Sequence, residues 1–246
     1  MRKLLVLYAL VYLYIPVQGY AQKSYNIQDQ YKFKALTIDQ GLSNNFIQTI
    51  CQDNEGFIWF GTHYGLNKYD GVDITTYYHD PDKTTSISSN YIYKVFLDSK
   101  GNIWIGSNGG LDMYNADQDN FIRLVSDSIT WPMQEVFDID EDKNGVLWFG
   151  GETGLYSYNL NSQEINFFSN KENNPHGIAP NIVYKILVDK NNNVWISVLN
   201  EGLYLLNQND TTFTIFKNDP NDSHSISGNR IEVIYEDTHG NIWAGT

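Results

Sequence analysis

The feature that most constrains this chain is a ten-residue segment that occurs five times. It reads DNEGFIWFGT at Asp53–Thr62, DSKGNIWIGS at Asp98–Ser107, DKNGVLWFGG at Asp142–Gly151, DKNNNVWISV at Asp189–Val198 and DTHGNIWAGT at Asp237–Thr246. Its tryptophans, Trp59, Trp104, Trp148, Trp195 and Trp243, stand 45, 44, 47 and 48 residues apart and make up five of the six in the chain. Self-similarity at such a period marks an array of equal units, each unable to bury its apolar face alone.

Each unit reads as four short strands. In the first, FIQTICQD is rich in β-branched and aromatic residues and reads as a strand. DNEG is a turn in which Gly56 can take positive φ. FIWFGT, GLNKYD and ITTYY follow as strands, the last two joined by the hairpin dipeptide Asp70-Gly71. Later units repeat the turn glycine at Gly101, Gly145 and Gly240; the divergent copy has Asn191 and Asn192, which tolerate the left-handed conformation. A Gly-Leu pair follows each of the first four tryptophans, at Gly65, Gly110, Gly154 and Gly202. Tyrosine stands three residues beyond the leucine at Tyr69, Tyr114 and Tyr158, with Leu206 in the fourth unit. An aromatic recurs in the fourth strand, at Tyr78, Phe121, Phe167 and Phe213. No stretch has a sustained helical period.

This pattern predicts an all-β chain, a β-propeller with four-stranded antiparallel blades of about 45 residues. The blades are expected at 46–78, 91–124, 134–168, 182–216 and 231–246. The last holds two strands, so the reading is an incomplete ring of four blades and half of a fifth, a fragment cut within a blade. Residues 31–37 align with a fourth strand and are a candidate ring-closing strand. The repeated tryptophan is expected to fill the space between blades. An open radial edge is expected to limit solubility.

The amino terminus reads differently. Met1-Arg2-Lys3 is basic, Leu4 to Ile15 is apolar, and Gly19 to Ala21 offers small residues for cleavage. Residues 1–21 therefore read as a signal peptide, leaving 22–246 as partial propeller. The apolar run is short of the roughly 20 residues a spanning helix needs, so no membrane segment is expected after cleavage. The net charge of −13, or −15 once Arg2 and Lys3 are removed, argues against nucleic acid as a partner. Cys51 is the one cysteine, so no intramolecular disulfide is available. It reads as a small buried apolar residue.

Strand connections alternate between two rims. The turns from first to second strand and from third to fourth lie on one, uniform in sequence and architectural. The second-to-third turns and the long loops between blades lie on the other, where variable residues on a rigid scaffold can bind. The candidate ligand-binding residues there are His63, Tyr64, Asn108, Glu152, Thr153, Asn200 and Glu201, with Trp131 in a blade-to-blade loop. Polar, amide-rich and aromatic, this rim suits a sugar-like ligand. Asp140 to Gly145 matches the opening of an EF-hand loop, but its twelfth position is Gly151 where glutamate is required. His63, His79, His176, His224 and His239 show no ligand spacing. No catalytic residue, metal site or cofactor is expected.

The unit Gly41 to Gly71, GLSNNFIQTICQDNEGFIWFGTHYGLNKYDG, resembles the two-component regulator propeller repeat. The resemblance implies a periplasmic domain with seven-bladed propellers. It also implies an immunoglobulin-like domain, a transmembrane helix and a histidine kinase elsewhere in a longer parent. Such hybrid sensors, typical of Bacteroidetes, sense polysaccharide breakdown products. The parent is then expected in the inner membrane and as a homodimer. The leading reading is a periplasmic sensor for an oligosaccharide. The alternatives are a secreted propeller enzyme such as a lyase and a non-catalytic propeller used as an assembly surface or feeding another output domain. An enzyme would need a clustered acid and base, and His63 and Glu152 sit in different blades with nothing in the sequence to orient them.

Overall fold

The computed structural model describes residues 33–124, 135–168, 182–208 and 211–246. The expected signal peptide and Trp131 lie outside these residues. Backbone contacts divide the chain into Met1–Ala35 and Leu36–Thr246, and the description below concerns the second unit. A short 3-10 turn at Ile38–Gln40 is closed by Thr37, whose hydroxyl accepts from Asp39 N. Strands carry everything else that is regular.

The first sheet holds β1 (Ile47–Gln52), β2 (Ile58–Thr62), β3 (Gly65–Tyr69) and β4 (Ile74–Tyr77). The second holds β5 (Ile92–Leu97), β6 (Ile103–Ser107), β7 (Gly110–Asn115) and β8 (Asn120–Arg123). The third holds β9 (Val136–Glu141), β10 (Val146–Gly151), β11 (Gly154–Asn159) and β12 (Ile165–Phe168). The fourth holds β13 (Val183–Val188), β14 (Val194–Val198), β15 (Gly202–Asn207) and β16 (Thr212–Phe216), and β17 (Val233–Glu236) pairs with β18 (Ile242–Gly245). Every sheet is an antiparallel meander in chain order. The first strands of successive sheets pack on one another, β1 on β5, β5 on β9, β9 on β13 and β13 on β17. These are propeller blades set side by side with their first strands innermost.

The core lies between blades, in three layers. Trp59 and Leu66 of blade 1 meet Ile92, Val95, Ile103 and Phe121 of blade 2. Trp104 and Leu111 meet Val136, Ile139, Leu147 and Phe149 of blade 3. Trp148 and Leu155 meet Val183, Ile186, Val194 and Phe213 of blade 4. The tryptophan is buried by the blade that follows it: Trp59 is 0% exposed and Trp104 2%, whereas Trp243 is 61% exposed.

The conserved spacing of aspartate and tryptophan is one hydrogen-bonded unit. Asp53 Oδ1 accepts the backbone N–H of Glu55 and Phe57, at 3.1 and 2.9 Å, which closes the first turn. Its Oδ2 accepts Trp59 Nε1–H at 2.7 Å. The same indole bond joins Asp98 to Trp104, Asp142 to Trp148, Asp189 to Trp195 and Asp237 to Trp243. The turn glycine takes positive φ in four copies, and Asn192 replaces it with φ 69° in the divergent one. The glycine two residues after tryptophan serves a different need. A Cβ on Gly106 would lie 2.8 Å from Val136 O, and one on Gly150 2.4 Å from Val183 Cγ1, so these positions let the next blade's first strand approach.

Residues 33–37, the described part of the candidate closing strand, carry no strand pairing among the described residues. Two expectations need correction. Cys51 is half-buried rather than buried, because β1 is covered on one face only. In blade 1 Tyr77, not Tyr78, packs into the core.

Candidate functional site

The first-to-second and third-to-fourth turns share one rim and are tied from blade to blade. Ser99 N donates to Glu141 Oε2, Lys143 N to Asn192 Oδ1 and Lys190 N to Glu236 Oε2. A hollow of about 510 Å³ lies between the turns of blades 1 and 2. Lys68 on its wall is held by its own neighbours, its ammonium 4.0 Å from the centre of the Phe57 ring and 5.1 Å from that of Tyr114.

The opposite rim carries the second-to-third turns. They hold His63 and Tyr64, Asn108, Glu152 and Thr153, and Asn200 and Glu201. Several are already engaged. Tyr64, 57% exposed, has its ring 5.8 Å from Tyr78. Asn108 N donates to Tyr91 O at 3.1 Å. Thr153 Oγ1 lies 3.0 Å from the Tyr156 hydroxyl. Asn200 supplies the left-handed residue of its turn, with φ 60°. Glu201 forms an ion pair with Lys217.

His63 is oriented, contrary to the sequence expectation. Its ring stacks between Phe46, at 3.9 Å, and Tyr91, at 4.4 Å, and its Nε2 shares a 2.9 Å hydrogen bond with the Tyr91 hydroxyl. Phe46 and Tyr91 flank the inner strands of neighbouring blades, which is why periodicity alone does not bring them to His63. Glu152 does not face His63. Gly151, which precedes it, pairs with Val136, so Glu152 stands across the β9–β10 edge from Glu135. Burial and then the Glu152 charge raise the Glu135 carboxyl above the usual range, partly offset by its hydrogen bond with Tyr93.

Sequence reasoning missed the residues that link these groups. The innermost strands of the four-stranded sheets slip their register near their start, between Ile47 and Thr49, Ile92 and Lys94, Val136 and Asp138, and Val183 and Lys185. The extra residue is Gln48, Tyr93, Phe137 or Tyr184. A β-bulge turns its side chain out of the alternation of the strand. Three of the four are aromatic and follow one another: Tyr91 to Tyr93 at 4.8 Å, Tyr93 to Phe137 at 4.8 Å and Phe137 to Tyr184 at 6.0 Å. Together with Phe46 and His63 they form an aromatic collar along the inner strands of four blades. Burial pushes the Tyr93 phenol up to about 12, so it stays protonated at neutral pH. The signal was present as the recurring third position of FIQT, YIYK, EVFD and IVYK, which strict alternation assigns to a sheet face.

A second set of bonds fastens this rim. In blade 1, Ser43 N donates to Asn67 Oδ1 at 2.8 Å, Asn67 Nδ2 donates back to Ser43 Oγ, and Ser43 Oγ lies 3.0 Å from Thr62 Oγ1. In blade 2, Ser88 donates its N–H and its hydroxyl to Asp112 Oδ2, and lies 3.2 Å from Ser107 Oγ. Ser227 and Thr246 repeat the pair in the fifth sheet. Blades 3 and 4 have Tyr156 and Tyr204 at the place of Asn67 and Asp112. Tyr156 stacks between Phe149 and Phe167. Burial raises the Asp112 carboxyl above the usual range against the pull of Ser88 and of Arg123, whose Nε is 3.7 Å from Oδ1.

Comparison with known proteins follows this division. The two-component regulator propeller model matches residues 41–64, 86–109 and 225–246, the segments that carry the serine clasp. Histidine kinase P4 of Formosa agariphila is 34% identical over 87 residues, covering 35% of this chain and 6% of that protein. The extracellular domain of the putative hybrid two-component system BT3049 from B. thetaiotaomicron superposes with a TM-score of 0.74 at 30% identity, over 87% of this chain and 29% of that one. Virginiamycin B lyase from Staphylococcus aureus shares the fold, with a TM-score of 0.58 at 16% identity over 81% of this chain and 62% of that one. The chain thus spans under a third of the first two relatives. Among the described residues no helix is long and apolar enough to cross a membrane.

Proposed function

We propose that this chain, which carries two-component regulator propeller repeats, is part of the sensing domain of an exported hybrid two-component histidine kinase. Its ligand is an oligosaccharide released from a polysaccharide, and binding regulates the genes that use that polysaccharide. The chain acts in the periplasm, and the parent is an inner-membrane homodimer. The similarity to an extracellular domain of a putative hybrid two-component system over most of this chain supports the sensing role. One observation of the molecule carries the ligand class. The extra residues at the bulges of the inner strands, Tyr93, Phe137 and Tyr184, follow one another ring to ring across three blades, and Tyr93 is hydrogen-bonded with Glu135. Aromatic faces offer sugar rings flat apolar contact, while hydroxyls meet carboxylates and amides, the mixture of apolar wall and few polar groups that small-ligand sites use. The ligand leaves unchanged, because signalling needs only a difference in affinity between receptor states.

The test is saccharide binding to the full chain, measured by calorimetry, with Tyr93→Ala and Phe137→Ala as variants. At least about a fivefold loss in each is expected, since a stacked aromatic contact contributes roughly 1 kcal/mol or more. Binding that survives both changes sinks the collar as the site. Mass spectrometry of the recovered ligand separates the sensor from the enzyme reading. The propeller-lyase reading draws on His63, which Tyr91 orients, and a converted ligand would favour it.

A further inference from the structure

We infer that the collar selects its ligand by charge, admitting saccharides that are neutral or bear an amine and excluding those that bear uronate or sulfate groups. This rests on the saccharide-sensing reading above and adds a specificity to it. Two carboxylates stand at the collar. Glu135 leads into β9 and is hydrogen-bonded with Tyr93, and Glu152 faces it across the Val136–Gly151 pair.

Lys94, Arg230 and Lys217, on or near the same strands, are each paired with a carboxylate. Lys94 on β5 lies 2.6 Å from the buried Asp138 carboxylate of β9. Asp138 in turn accepts Ile186 N of β13, so this pair bridges three blades. Arg230, before β17, pairs with Glu232, and Lys217 pairs with Glu201. Lys185 on β13 lies over the Tyr184 ring, 4.9 Å from its centre. Strands β1, β9 and β17 carry no lysine or arginine.

An anionic sugar stacked on Tyr93 or Phe137 therefore meets Glu135 and Glu152, while the cation of these strands that has no carboxylate partner among the described residues, Lys185, lies at Tyr184 on the next blade. Like charges brought together in a partly desolvated place repel, and the repulsion is built into the site rather than dependent on the ligand's fit. An amine in the same place gains a charge-assisted hydrogen bond to a carboxylate and an aromatic face for its charge.

The experiment uses the full chain and a panel of saccharides in three charge classes. It includes oligomers of N-acetylglucosamine, glucosamine and galacturonate matched in length, at low and high salt. The expected result is that every binder is neutral or cationic, with anionic analogues at least about tenfold weaker at low salt and the gap narrowing at high salt. In the double variant Glu135→Gln, Glu152→Gln the ratio of cationic to anionic affinity falls by about tenfold, while the melting transition shows that the fold persists. Preferred binding of an anionic class, or a ratio unchanged in the double variant, overturns the charge selection and leaves the sensing reading standing. Neutral binding with no discrimination among the classes does the same. A panel with no binder in any class overturns both.

Discussion

Blades 1 and 2 fasten their rim with hydrogen bonds, whereas blade 3 fastens it with stacked rings. Ser43, Thr62 and Asn67, and Ser88, Ser107 and Asp112, are linked polar sets. Tyr156 fills the equivalent place between Phe149 and Phe167, with its hydroxyl turned to Thr153. Both solutions hold the third strand against the second at the same point of the same fold. The difference teaches that the blade tolerates either chemistry at this position, provided that the whole set changes together. A polar group here must find its partners inside the blade, because it is buried and water cannot serve it.

The largest effect is expected from mixing the two sets. Tyr156→Asn places a blade 1 residue in blade 3, without a serine or threonine among the described residues positioned to meet it. The lost ring and the unpartnered amide should together cost about 3–5 kcal/mol in denaturant unfolding. A loss below about 1 kcal/mol would mean that the sets are interchangeable residue by residue.

Next comes the clasp itself. Ser88→Ala removes a hydroxyl donor from the buried Asp112 carboxylate, with an expected loss of about 2–3 kcal/mol. Ser43→Ala removes a bond to a neutral amide and should cost about 1 kcal/mol. Equal losses in the two melting curves would show that the charge in blade 2 adds nothing. Tyr156→Phe deletes the hydroxyl that bonds to Thr153 and should cost about 1 kcal/mol, leaving the stack in place.

The smallest effect, and the one with a sign to check, is Asp112→Asn, which gives blade 2 the chemistry of blade 1. Burial raises the folded carboxyl of Asp112 above its unfolded value. Its contribution is therefore fully favourable below the ordinary carboxylate range and is lost as pH rises through the raised value. Stability at pH 7 should be unchanged or higher by up to about 1 kcal/mol, with the advantage shrinking toward pH 4. An asparagine variant that grows less stable as pH rises would refute this. The cap of the fifth sheet's turn runs the other way. The indole and amide bonds to Asp237 hold it below the usual range, so its contribution is present above that range and lost as pH falls beneath it.

Much of the fold was legible because one large residue recurs at one place in every unit. The tryptophans announce a period, and the period announces blades. The partner of each indole was less legible, since Asp53 reads only as a turn residue until its second oxygen is seen to reach Trp59. The clasp joins residues 19 and 24 positions apart, and its logic shows only when units are stacked on one another. The collar was hidden for another reason. A bulge shifts a strand by one residue, so a rule of alternation assigns Tyr93, Phe137 and Tyr184 to a face they do not hold. His63 and Tyr64 could be assigned to their rim from the sequence because they occupy a turn, where no such shift intervenes.

The ties along the turn rim, from Ser99 to Glu141, from Lys143 to Asn192 and from Lys190 to Glu236, each join one blade to the next. The inner strands also pack pairwise in sequence. Mechanically this is a row of coupled links rather than a block with a common centre. In such a row each blade is held by the interfaces it shares with its neighbours, so its opening is coupled to theirs one interface at a time. The energy needed to free a given blade is then set by its immediate neighbours, and a ligand that bridges Tyr93, Phe137 and Tyr184 would act as a splint across three of them.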